Sequence, residues 1–213
     1  MILLADNDII LKLAQCDLLM DLHELLGEPT EQVFITPTAR YQVLPKKTGK
    51  AVEKCGSEAI VSCIRDFLDA AADIPEIQDE GLLKTMASID HIDDGEALLF
   101  AAAVELSAPT LITGDRNALR ALLANQERLP GVNAALREKV VTFESSILLA
   151  LHAQGFAIVK QKLLGSPKPD KLLRLVLKPD MREADLSECL RSYSREIEPL
   201  LLFRHLLFDT AHS

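Results

Sequence analysis

Short apolar runs that end in acids alternate along this chain with stretches in which apolar residues recur every three or four positions. Residues 1–5, Met1-Ile-Leu-Leu-Ala, are apolar without alternation and predict a strand buried on both faces. Past Asp8, the positions Ile9, Ile10, Leu13, Leu18, Leu19, Leu22, Leu25 and Leu26 keep helical spacing, with Gly27 and Pro29 as the stop. Residues 33–36 predict a second short strand, and Pro37 suits the first turn of a helix behind it. A basic, turn-like segment over 46–49 precedes one long helix over 51–72, which Pro75 ends. A polar helix over 79–88 then leads into Asp90-His-Ile-Asp-Asp-Gly-Glu96.

Residues 97–104 are apolar on every side, which predicts a central, buried helix. Residues 110–113 follow as a parallel-type strand running to Asp115, then a helix over 116–124, a last strand over 139–142 and a helix over 144–153. Strands and helices in alternation predict an α/β fold with a mostly parallel central sheet over residues 1–153. Residues 154–213 form a C-terminal extension of different character. It is basic at first, returns to a helical pattern from Ala184, and ends in the apolar stretch 200–208. Residues 156–159 and 172–177 fit strand and helix equally well.

At 213 residues the chain is long enough for one sizeable core, or one domain plus an appendage. Aromatics make up only 4%, without Trp, which argues against an aromatic stacking platform for single-stranded nucleic acid. The net charge of −9 repels polyanions at long range, so a nucleic-acid substrate would need local basic patches or bound cations. Cys16, Cys55, Cys63 and Cys189 show neither CxxC pairing nor a His at zinc spacing, and read as reduced, mostly buried thiols of a cytoplasmic protein. The amino terminus lacks a basic segment before its apolar run and does not read as a signal peptide. The longest apolar tract, 97–112, contains Glu105 and Pro109 and is too short to span a bilayer.

Candidate chemistry concentrates in the acids. Asp6 and Asp115 follow strands that should be neighbours in the sheet, and Asp94 and Glu96 open the buried helix. Carboxylates brought so close repel one another, and a divalent cation relieves this. Mg²⁺ or Mn²⁺ prefers oxygen ligands, is held by a few carboxylates with waters and phosphate, and can assist phosphodiester hydrolysis. Capping is the competing role for each acid. Asp93 and Glu96 have capping-box spacing, and Asp6 and Asp115 can cap the helices that follow them. Gly95 in a first helical turn costs about 1 kcal/mol relative to Ala, which suggests that something approaches the backbone there.

An acid after the first strand, the run Asp94-Gly-Glu-Ala-Leu-Leu-Phe-Ala-Ala-Ala, and a strand ending Leu111-Ile-Thr-Gly-Asp-Arg together resemble PIN domains over roughly residues 1–150. The resemblance implies a three-layer α/β/α sandwich and a metal-dependent ribonuclease, of the kind found among toxins of toxin–antitoxin pairs. It implies that Asp6, Glu96 and Asp115 bind Mg²⁺ or Mn²⁺ and carry catalysis, with Asp94 as a further ligand candidate. Asn117 is then a lesser candidate at the site, and Arg116 a phosphate contact. One departure is clear: where the family places an acid a few residues beyond a proline after the second strand, this chain has Arg40 and Gln42. Asp8 and Asp94 are the candidates to substitute. A non-catalytic PIN-like binding or scaffold protein is the alternative reading.

His23, His91, His152, His205 and His212 are scattered without ligand spacing, and no GxSxG, Walker or GxGxxG motif occurs. A receiver-type site would want a Lys after a late strand, whereas Lys139 precedes its strand. Among the basic residues from Lys160 to Arg182, Lys160 and Lys162 are the expected seats for an RNA backbone if the core is a nuclease. The apolar tail should pack on its own domain, with a homodimer seam as the alternative. An acidic surface and that tail also suit a toxin silenced by an antitoxin or other protein partner.

Overall fold

The buried apolar runs form strands β1 (Ile2–Ala5), β2 (Gln32–Ile35), β3 (Ala72–Asp73), β4 (Thr110–Thr113) and β5 (Val140–Thr142). In the computed structural model, which describes residues 1–27, 32–106 and 109–208, they make one all-parallel sheet in the order β3-β2-β1-β4-β5. Each of the four residues of β4 is buried, as strands covered on both faces require. From the central β1 the chain moves outward through β2 and β3, then returns to the other side of β1 as β4 and β5. Strand order therefore reverses between β1 and β4, and the carboxyl ends of those two strands frame the crevice where open α/β sheets bind ligands.

The intervening helices are α1 (Asn7–Gln15), α2 (Leu22–Leu25), α3 (Ala39–Val43), α4 (Thr48–Cys55), α5 (Glu58–Ala70), α6 (Glu80–Ala87), α7 (Asp94–Glu105), α8 (Arg116–Ala124), α9 (Pro130–Leu136) and α10 (Phe143–Gln154). Helices α1, α3, α4 and α5 pack on one another, and α6, α7, α8 and α9 form a second group. Helix α7 is the central buried helix that its all-round apolar pattern predicts, burying Ala97, Leu99, Phe100, Ala101, Ala102 and Ala103.

Two helices expected to be continuous are broken, each by a residue with positive φ. The first ends at Gln15, and Asp17, at φ 53°, turns the chain before α2. The expected helix over 51–72 begins at Thr48 and splits at Gly56, whose φ of 105° suits only glycine, after which the Ser57 side chain accepts from Ile60 N and starts α5. A Cβ at Gly56 would also lie 2.4 Å from the Pro167 ring. Pro37 precedes α3 rather than joining its first turn, and α9, with Pro130 at its start, carried no expected helix. Pro29 and His212 lie outside the described residues.

Residues 156–159 and 172–177 resolve as helical: α11 (Phe156–Leu164) and α12 (Lys171–Val176). Helix α13 (Glu183–Ser194), a 3₁₀ turn over Arg195–Leu200 and α14 (Arg204–Phe208) complete the chain. The extension packs into the same core through Val159, Leu163, Leu173, Leu186, Leu190, Ile197 and Leu207. It also covers the β5 edge: Lys139 N donates to Leu200 O, Leu202 N donates to Val140 O, and Val140 bridges Leu201 in parallel. Unpaired edge groups are thereby satisfied within the chain. No described helix is long and apolar enough to cross a membrane.

Candidate functional site

Of the described helices that begin at the carboxyl edge of the sheet, α1, α7, α8 and α10 each start with a side-chain oxygen that accepts a backbone amide, whereas α3 has none. Asp6 accepts from Asn7 N at 2.6 Å at the start of α1, and Asp115 accepts from Ala118 N at 2.9 Å at the start of α8. Asp93 and Glu96 form the predicted capping box of α7: Asp93 accepts from Gly95 N and Glu96 N, and Glu96 Oε2 accepts from Asp93 N at 3.0 Å. Thr142 plays the part for α10. The positive ends of these four helix dipoles face the same crevice, favouring carboxylates and any bound anion.

The capping expectation holds for Asp6, Glu96 and Asp115, yet it leaves oxygens over. Asp115 and Glu96 each spend one carboxylate oxygen on a cap. The second oxygen of Asp6 has only long contacts, 3.4 Å from Thr113 Oγ1 and 3.5 Å from Gly114 N. All three acids line a single cleft of about 520 Å³. Asp8, Asp93, Glu144 and Asp170 line it too, against the cations Lys12, Arg116 and Lys171. A second cavity, of about 540 Å³, continues it past Asp6, Asn7, Asp93 and Glu96 to Asp94, Gly95, Thr36 and Gln42.

The excess of acid shows in the protonation behaviour. Burial raises Asp6, with the charge of Asp8 adding to it. Burial likewise raises Glu144, with the charge of Asp170 acting in the same direction. Glu96 is pushed up to about 8, first by burial and then by its contact with Asp93, whose own carboxyl is held low. The folded chain thus holds the Glu96 proton more tightly than an unfolded chain, whose value is 4.5. Stability from this group is complete below pH 4.5 and is lost as pH rises through about 8. In EDTA, the urea midpoint of the wild-type protein should fall across that range, and Glu96→Gln, which keeps an acceptor for Asp93 N, should flatten the fall. A midpoint equally pH-dependent in both proteins would remove Glu96 as its source.

Lys12 supplies the cleft's internal cation. Its ammonium lies 2.8 Å from Asp8 Oδ2 and 3.7 Å from Asp170 Oδ2. Gly114 makes this approach possible, since a Cβ there would sit 3.0 Å from Asp8 Oδ2. The Arg116 guanidinium stacks 3.8 Å from the centre of the Tyr193 ring and donates to Tyr193 O. Asn117, next to it, is exposed at the rim.

Of the residues singled out in the sequence, the cleft brings together Asp6, Glu96, Asp115, Arg116 and Asn117, with Asp94 in the adjoining cavity. It does not include Lys160 or Lys162. Lys160 Nζ donates to the carbonyls of Pro179 and Met181, and Lys162 Nζ donates to Asp17 O and pairs with Asp21. Lys160 thereby ties α11 to the 179–181 segment of the extension and Lys162 ties α11 to the core, so neither expected phosphate seat lines the cleft. Arg40 is structural as well: it pairs with Asp73 and donates to Leu68 O and Ala71 O at the end of α5. Gln42 does stand beside the cleft, where its neutral amide accepts from Asn7 Nδ2.

Glu144 could have been found by the rule that found Asp6 and Asp115, because it follows β5 as they follow β1 and β4. Asp170 and Lys171 carried no local signal, since only the folding back of the extension brings them to the cleft. The donor set suits a hard cation such as Mg²⁺ or Mn²⁺, being all oxygen, partly desolvated and short of positive charge. It is no preformed cage. Among the described residues, no three His, Cys, Asp or Glu side chains are gathered closely enough to hold one ion as they stand. One or two carboxylates with waters and a substrate phosphate are the arrangement such a cleft can offer. Comparison with family models, with curated proteins and with solved structures finds no match for the chain in any of the three.

Proposed function

We propose that the chain is a PIN-like three-layer α/β/α protein that hydrolyses RNA with a divalent cation at the β1/β4 switch point. One observation carries the reading: carboxylates from three distant parts of the sequence, Asp6, Glu96 and Asp115, line one cleft at that edge with oxygens beyond those their caps require. Parallel strands are almost always joined by right-handed crossovers, and with the order β3-β2-β1-β4-β5 that rule would place the two helix groups on opposite faces, which supports the three layers.

Asp6 and Asp115 would hold the ion, with Glu96 or Asp94 at its side. Bound there, Mg²⁺ or Mn²⁺ supplies Lewis acidity toward a scissile phosphate and an attacking water. The chain's own part is positioning and charge. The start of α8 would meet an incoming phosphate, the Arg116 guanidinium, held on Tyr193, would add positive charge to the same cleft, and Lys12, paired with Asp8, offsets some of its negative charge. Where Asp94 rather than Glu96 stands at the ion, Glu96, whose carboxyl is raised by burial, would be placed to exchange a proton with water in the cleft. Incubating the full chain with end-labelled single-stranded RNA tests this. Cleavage in Mn²⁺ that stops in EDTA is expected, and intact RNA under both conditions would remove the hydrolytic reading.

A second reading has its own support. Each of the three acids caps a helix, no three acids among the described residues are gathered as they stand, and Gln42 is neutral where the family pattern has an acid. In that reading the protein is a non-catalytic scaffold of the same fold. An antitoxin-like or other protein partner, a homodimer through the apolar tail and a cytoplasmic setting remain proposals under either reading.

A further inference from the structure

Residues 40–54 carry Arg40, Lys46, Lys47, Lys50 and Lys54 against the single acid Glu53, in a chain whose net charge is −9. The structure displays much of this charge. Lys46, Lys47 and Lys50 are exposed at the start of α4, where no side chain caps the first amides. Uncapped amides at a helix start favour an anion. Beside them Tyr41 is 66% exposed, with the Lys46 ammonium 5.3 Å from its ring centre. An exposed ring among lysines offers a face on which an unpaired base can stack.

The patch is continuous with the candidate site. Gln42, adjacent to Tyr41, lines the cavity that contains Asp6 and Glu96, and Lys54 Nζ donates to Gln42 O. On its outer side lies a pocket of about 290 Å³ whose lining includes Arg40, Lys46 and Arg65. Lys160 and Lys162 of the extension, by contrast, are tied to carbonyls and a carboxylate of this chain.

We propose that the α3–α4 face is the surface on which single-stranded RNA docks, with phosphates along Lys46, Lys47 and Lys50, a base on Tyr41, and the strand entering the cleft past Gln42. Its direction into the cleft rests on the hydrolytic reading, whereas the binding does not. A flexible single strand suits the face because one unpaired base can stack on one exposed ring, which a duplex cannot offer. Lysines are strongly hydrated point charges that track a backbone without reading sequence, so little base preference is expected.

The experiment is fluorescence anisotropy of the full chain with a labelled oligouridylate, in EDTA so that no cleavage occurs, across a range of NaCl concentrations. Wild type should bind at low salt. The variant K46E/K47E/K50E should bind at least about tenfold more weakly, with a salt slope shallower by about two, as the loss of three phosphate contacts on a single strand requires. Tyr41→Ala should weaken binding about tenfold, while Lys178→Glu, an exposed charge of the extension, leaves it unchanged. All five side chains changed, four on the α3–α4 face and one in the extension control, are exposed, and thermal melting checks that the variants fold. No binding by wild type, equal binding by the triple variant, or equal binding of a duplex would each overturn the proposal. Absence of wild-type binding with Mn²⁺-dependent heat intact sinks only the docking surface, and wild-type binding without Mn²⁺-dependent heat sinks only the hydrolytic reading.

Discussion

Replacing Asp115 by Asn is expected to lower Mn²⁺-dependent RNA cleavage by more than about a hundredfold, because even outer partners of metal ligands cost 10–100-fold when removed. Asp6→Asn should do the same. The choice of Asn separates the two roles that the geometry gives these side chains. Asn and Asp cap helices about equally well, so the bond to Ala118 N can persist and stability should change by less than about 1 kcal/mol. What Asn cannot supply is the anionic oxygen left over from the cap. If Asp115 only starts α8, Asp115→Asn is silent in both assays, and Asp115→Ala costs about 1 kcal/mol from the lost cap alone. Asp6→Asn carries an added sign: the burial that raises Asp6 disappears as a cost, so the metal-free variant should be no less stable than wild type at neutral pH.

The largest expected effect on stability comes from the helix behind the site. Phe100 is 1% exposed in α7, whose neighbours Leu99, Ala101 and Ala102 are buried as well. Phe100→Ala removes a large side chain from a place with no room to collapse and should cost about 3–5 kcal/mol. Against a typical total of roughly 5–15 kcal/mol, that is a large share of the stability of the whole protein. Urea unfolding followed by circular dichroism measures it as a lower midpoint at unchanged slope. Val104, 41% exposed on the same helix, is the internal control, and Val104→Ala should stay within about 0.5 kcal/mol. Equal, small effects at both positions would mean that α7 is not the central packed helix. Because Glu96 stands in the first turn of α7, Phe100→Ala should also reduce cleavage.

The parallel sheet and its acids were legible because a buried strand writes an uninterrupted apolar run, and an acid directly after one lies at the sheet's carboxyl edge. Residues 110–113 became β4 without change, and Asp6 and Asp115 arrived at neighbouring strand ends. Strand β3 was not legible, since two residues, Ala72 and Asp73, cannot show a period. The break at Gly56 was hidden because apolar spacing continues across it, although a glycine followed by Ser57 is a stop and a start together. The distance of Lys160 and Lys162 from the cleft was not legible for a different reason. A run of lysines in sequence reads as a charged surface, but an ammonium has three donors, and here Lys160 meets carbonyls of the extension and Lys162 a carbonyl and a carboxylate of the core. Lys12 was passed over because its meaning depends on Asp170, which only the folded extension supplies.

Titration of the full chain with Mn²⁺ by calorimetry measures the central claim without any assumption about substrate. A cation site at the β1/β4 edge predicts a saturable heat in wild type that is lost in both Asp6→Asn and Asp115→Asn while their unfolding curves stay close to that of wild type. The absence of saturable heat in folded wild-type protein, or its persistence in both variants, would contradict it.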